Sequence, residues 1–259
     1  MHKRNASPWL RLVFLLLTLI VLAPAFYLLA HTFFDNDGRF SLMGYYEVFL
    51  HSPKYLLRFW YSLFLCLGIT AGNLVVSTLA GYALAVYRFR GRTLLLFLLA
   101  VLMLLPVQAT LTPTYLVLQK LGLLNTPWAL ALPALFWPFG TLLEMQAIQA
   151  VPRELREAAA LDGASLFQII GRVMVPAAKG GIISVGILTF IEAWNMLEQP
   201  VAYLEDPADY PLAAFLAYGI APDQTVIFIS SILAILPVLL VFAYCNEELT
   251  DGIEFTGIK

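Results

Sequence analysis

Six stretches of this chain, residues 12–30, 61–86, 93–111, 127–148, 181–199 and 226–244, are almost free of charge. Each approaches or exceeds the roughly 20 residues that a helix needs to cross the hydrocarbon core of a bilayer. No water is available there, so the backbone must satisfy its own hydrogen bonds within the segment, as a helix does. The composition agrees. At 61% hydrophobic and 12% charged residues, with a mean hydropathy of +0.82, the chain is too apolar and too poorly charged for a soluble domain. The expected architecture is an all-α membrane protein of six transmembrane helices, forming a single polytopic domain over residues 1–259. Pro24, Pro106, Pro133, Pro138 and Pro237 fall inside the runs and predict kinked, closely packed helices. The first run is longer than a secretory h-region and no convincing cleavage site follows it, so it reads as a retained span. Cys66 and Cys245 lie within and at the end of apolar runs and read as packing residues.

The formal net charge of -2 hides an asymmetry in which the basic residues gather at particular span ends. Lys3, Arg4 and Arg11 precede the first run, Arg88, Arg90 and Arg92 separate the second and third, and Arg153, Arg156, Arg172 and Lys179 separate the fourth and fifth. These segments share one side. The other side has Arg39, Lys54, Arg58 and Lys120, and its segment 200–225 contains Glu205, Asp206, Asp209 and Asp223 with no basic residue. The positive-inside rule places both termini and the 149–180 loop in the cytoplasm. Asp35, Asn36, Asp37 and Gly38 read as a turn, because the later ligand positions of a calcium loop are missing.

Residues 152–176 form the one long polar interruption on the basic side. Pro152 suits a helix start, and residues 153–162 are helix formers up to Gly163, which provides a C-terminal stop. Leu155, Ala158, Ala159 and Asp162 fall on one face, flanked by Glu157. Ser165 with Gln168 makes a capping box for a second helix, which Pro176 is expected to end. The string E-A-A-A-L-D-G beginning at Glu157, followed by V-M-V-P ending at Pro176, is similar to the E-A-A-x3-G-x9-I-x-L-P loop of permease subunits of binding-protein-dependent ABC importers. Val173 and Val175 stand in for the Ile and Leu. Residues 121–126 (L-G-L-L-N-T), 152–155 (P-R-E-L), Trp194-Asn195 and the tail Leu249-Thr250-Asp251-Gly252 also resemble the sugar-uptake branch, which contains the maltose and glycerol-phosphate permeases. Asn246, Glu247 and Glu248 depart from it, standing where the family often has basic residues.

This resemblance implies a type I importer transmembrane domain in a bacterial or archaeal cytoplasmic membrane. One such permease stands beside a second, usually different, permease subunit. Two ATPase subunits lie inside and a solute-binding protein outside; the cargo is a sugar, the surroundings are lipid, and nucleic acid is not a partner. Glu157, Ala158, Ala159, Asp162, Gly163 and Pro176 would then contact the ATPase. In the maltose system the tail reaches between the ATPases. The chain has no G-x-x-x-x-G-K-[ST] phosphate loop, so ATP would be bound by the partner and no cofactor is expected here. An enzyme is not expected, since His2, His31 and His51 lie outside the runs and no G-x-S-x-G occurs. Thr189, Glu192, Asn195 and Gln199 fall at helical spacing in the fifth run, where an ionisable residue faces either a cavity or a partner helix. They are the candidate pathway residues. A secondary transporter or channel subunit is the competing class, because six spans and a membrane carboxylate would also describe one. It lacks an evident repeat of halves and leaves the polar hairpin without a task. ATP dependence of transport separates the two.

Overall fold

In a computed structural model, the described residues are 8–34, 38–51, 54–218 and 224–245. Among them every regular element is helical, apart from an isolated bridge between Phe34 and Phe40. The longer helices are α1 (Pro8–His31), α2 (Lys54–Val86), α3 (Arg92–Met103), α4 (Val107–Leu121), α5 (Pro127–Leu135) and α6 (Pro138–Ala150). They are followed by α7 (Arg153–Leu161), α8 (Leu166–Ala177), α9 (Lys179–Trp194), α10 (Glu198–Tyr203), α11 (Leu212–Ala217) and α12 (Gln224–Tyr244). By length and apolarity four of these segments can cross a membrane, α1, α2, the α5–α6 pair and α12. The count reaches six if each of the bent pairs α3–α4 and α8–α9 is one span. The chain divides into two compact units, one of Met1–Leu57 with Gly219–Leu236 and the other of Arg58–Tyr218 with Pro237–Lys259.

In the first unit Thr32 is fully buried, donating to the Leu29 carbonyl at 2.7 Å and accepting from the Tyr45 hydroxyl at 2.9 Å. Tyr55 donates to the Ser230 carbonyl at 3.3 Å. Gly38 has φ +75°, the conformation a turn needs, while Asp35, Asn36 and Asp37 lie outside the described residues. So does the tail motif at Leu249–Gly252.

In the second unit prolines break helices at defined places. The third run, expected as residues 93–111, is not one straight span. The residue before a proline is pushed out of the α region, and Pro106 itself is extended at ψ 147°. The chain turns by 109° there, and α4 continues ten residues past the expected end. A second break separates α5 from α6 at Phe136 and Trp137, both extended, with Pro138 opening α6. Pro138 has no N–H to give back to the carbonyl of Ala134. Asn73 fills the gap from α2, because its Nδ2 donates to the carbonyls of Ala134 at 3.3 Å and Leu135 at 3.0 Å. Asn73 is fully buried, and its Oδ1 accepts from Thr189 Oγ1 at 3.2 Å and Ser77 Oγ at 3.4 Å. Irregular backbone at membrane depth thus stays inside protein with its polar groups paired.

Candidate functional site

Two constellations of the second unit carry the residues singled out by sequence. The first is a cavity of about 260 Å³. From α9 it is lined by Thr189, Glu192 and Ala193, from α4 by Val107, Thr110 and Thr114, and at the broken helix by Phe136 and Trp137. Gln199 and Tyr203 of α10 and Met196 also border it. Three of the four stripe residues therefore meet. Asn195 does not join them, because α9 stops at Trp194 and Asn195 Nδ2 folds back onto the Ile191 carbonyl at 2.9 Å. Thr189 is nearly buried, with its hydroxyl committed to Asn73, whereas Glu192 is exposed. Burial pushes the Tyr203 hydroxyl above its usual titration range, so it stays a neutral donor.

Sequence reasoning missed Thr110 and Thr114. They sit one turn apart on α4, the helix that continues beyond the expected span end, and their i, i+4 spacing was the available signal. It also missed Glu144 on α6, which is fully buried and accepts from Thr78 Oγ1 at 2.5 Å, while its Oε1 has no hydrogen-bond partner among the described residues. A lone acidic residue in an apolar run was the sign there.

The second constellation is the polar hairpin. Helix α7 ends in a Schellman motif: Ala164 N–H donates to the Ala159 carbonyl at 3.0 Å, Gly163 N–H donates to the Ala160 carbonyl at 3.1 Å, and Gly163 has φ +80°. The capping box at Ser165 is present, with Ser165 N–H donating to Gln168 Oε1 at 2.7 Å. Pro176 does not end the second helix. The preceding turns widen into a π segment, Ile169–Met174, so Pro176 enters at the start of the next turn, where its missing N–H is harmless. The chain instead bends by 86° after Ala177. Ile169, Ile170 and Met174 bury themselves against Tyr82, Ile148 and Ile182. Ala159 packs inward on this cluster, while Ala158 is exposed. Glu157, whose side chain is 65% exposed, lies 3.9 Å from Arg156, and Leu161 is 89% exposed.

The polar hairpin is thus set between helices long and apolar enough to cross a membrane, the build of a polytopic membrane protein. The chain belongs to the family of binding-protein-dependent transport system inner membrane components, whose model matches residues 74–247. It is thus a multi-pass inner-membrane permease subunit, not an enzyme. It is 27% identical to the arabinooligosaccharides transport system permease protein AraQ of Halalkalibacterium halodurans, over 88% of this chain and 83% of that one. It is 30% identical to the protein LplC of Bacillus subtilis, over 88% and 82%, and 32% identical to the lactose transport system permease protein LacG of Rhizobium radiobacter, over 76% and 73%. In structure it resembles a chain of a bacterial ABC transporter involved in the import of the acidic polysaccharide alginate. The TM-score is 0.81 at 22% identity, covering 95% of this chain and 98% of that one.

Proposed function

We propose that this chain forms one wall of the translocation pathway of an ATP-driven sugar importer and is driven through its polar hairpin. The observation that carries the reading is the composition of the cavity at α4, α9 and α10. Phe136 and Trp137 line it together with the polar residues Thr110, Thr114, Gln199 and Glu192. Sugars present both apolar faces and hydroxyls, and sites that combine apolar lining with a few polar groups suit them. At about 260 Å³ the cavity is slightly smaller than typical ligand pockets of roughly 300–1,000 Å³, as suits a half-site completed by a second permease subunit. Relatives named for arabinooligosaccharide and lactose transport support the cargo class.

In the full reading, six spans result when each bent pair crosses once. A second, different permease completes the pore, two ATPases bind ATP inside, and a solute-binding protein delivers the sugar outside. The hairpin surface offers Glu157 and Ala158 to the ATPase, with Leu161 as an apolar anchor, while Ala159, Asp162, Gly163 and Pro176 hold its shape. Glu192→Gln tests the pathway. Uptake of the transported sugar should fall or change its KM while the complex still assembles with all its subunits. Unchanged uptake kinetics would take Glu192 out of the pathway.

A further inference from the structure

A second cavity of the same unit, about 570 Å³, opens among the ends of α2, α3, α6 and α7. Four arginines line it, Arg88, Arg92, Arg153 and Arg156, and among the described residues no acidic side chain does. Their charges are poorly compensated. Among the described residues Arg88 and Arg153 have no ion-pair or hydrogen-bond partner, and Arg92 uses its Nε on the Leu84 carbonyl at 2.8 Å. Arg156 reaches only the exposed Glu157, at 3.9 Å. Four like charges around one cavity repel each other, and an anion between them removes that repulsion.

Geometry adds to the charge. Helix α7 begins at the cavity behind Pro152 without a side-chain cap, so its first N–H groups are free to meet an anion there, although Glu154 in its first turn, which does not line the cavity, offsets part of the helix dipole. Guanidinium groups match phosphate oxygens in bidentate fashion. The floor, by contrast, is apolar, with Ile148 and Met174. The site also sits where apolar segments terminate, at Val86, Arg92 and Ala150, the depth at which headgroups meet protein.

We propose that this cavity binds a phosphate group, presented by the headgroup of an anionic phospholipid whose chains continue over the apolar floor. Inorganic phosphate has the same oxygens without the chains and is the other source to be distinguished. The proposal is independent of the sugar-pathway and coupling readings and of which side of the membrane the site faces. In the purified transporter with its partner subunits, stripped of lipid, native mass spectrometry should show phosphatidylglycerol retained over phosphatidylcholine. Arg88→Gln with Arg153→Gln should weaken that retention by about fivefold for each arginine, the equivalent of roughly 1 kcal/mol per basic residue. Arg90→Gln, outside the cavity, should leave it unchanged. Displacement of phosphatidylglycerol by inorganic phosphate confirms the phosphate site and names the free anion as a competent occupant; no displacement assigns it to the lipid alone. Equal retention of the two lipids by the unaltered protein overturns the proposal without reference to any variant. So does a double variant that keeps its lipid but sheds the ATPase, which would make the arginines a docking surface for an acidic protein segment.

Discussion

Asn73 illustrates how a single polar side chain can make a break in a membrane helix tolerable. Its amide nitrogen serves two carbonyls left at the α5–α6 junction, and its oxygen holds the hydroxyls of Thr189 and Ser77. Removing it leaves buried acceptors without donors, which costs more than the bond itself contributed. Asn73→Ala should therefore destabilise the protein by about 1–2 kcal/mol, the range for interhelical hydrogen bonds and unpaired groups in membrane proteins. Ser77→Ala, which loses only bonds near 3.4 Å, should cost much less. Thermal unfolding of the detergent-solubilised complex checks both, and equal midpoints for the two variants would refute the role given to Asn73. Thr189→Val should share part of the Asn73 phenotype, since its hydroxyl is bonded into the protein and its loss acts on the wall of the cavity.

At the scale of elements, the hairpin separates residues that shape it from residues it presents. Ala159 packs on the buried cluster of Ile169, Ile170 and Met174, whereas Leu161 projects outward. Leu161→Asp should leave the permease folded and inserted but reduce co-purification of the ATPase. Glu157→Ala should do the same, truncation of a desolvated charge pair at an interface costing about 2–5 kcal/mol. Ala159→Leu should instead lower the unfolding temperature, because overpacking a filled site costs roughly 1–3 kcal/mol. Full ATPase retention and stimulated hydrolysis in both surface variants would exclude α7 from coupling. The two turns of this hairpin were legible in the sequence because their signals are local: Gly163 follows the last helical residues, and Gln168 lies three positions from Ser165. The fate of Pro176 was not, since a π segment before it depends on how Ile169 and Met174 bury themselves. Nor was the pairing of Asn73 with Ala134, 61 residues away, or with Thr189, 116 residues away. Apolar periodicity marks which runs enter the membrane, but not where a distant side chain will excuse a proline from ending one.

At the scale of the whole molecule, what matters is which surfaces meet water, lipid and partners. Helix α1 has none of its apolar membrane-length window buried within the chain, so lipid or a neighbouring subunit must cover it. Orientation follows from α9. Its 16 residues rise about 24 Å, so the hairpin before Lys179 and the segment after Trp194 lie at opposite ends of that helix. The hairpin end has Arg153, Arg156, Arg172 and Lys179. The far segment has Glu205, Asp206 and Asp209, and no basic residue between 195 and 218. By the rule that counts lysine and arginine near span ends, we propose that the hairpin faces the cytoplasm, with both termini on the same side. A cysteine at Phe167, which is 74% exposed and leaves the Ser165 cap intact, reports one side. A cysteine at the exposed Ala208, whose only described bond is a backbone one to Asp206, reports the other. The background needs Cys66→Ala and Cys245→Ser. Cys66 is almost wholly buried, and losing so small a side chain is tolerable. Added to intact cells, an impermeant maleimide should label the Ala208 variant and spare the Phe167 variant, and permeabilised cells should label both. Labelling of the Phe167 variant alone in intact cells would invert the topology, move the ATPase contact to the other face, and leave the proposed coupling hairpin on the wrong side of the membrane.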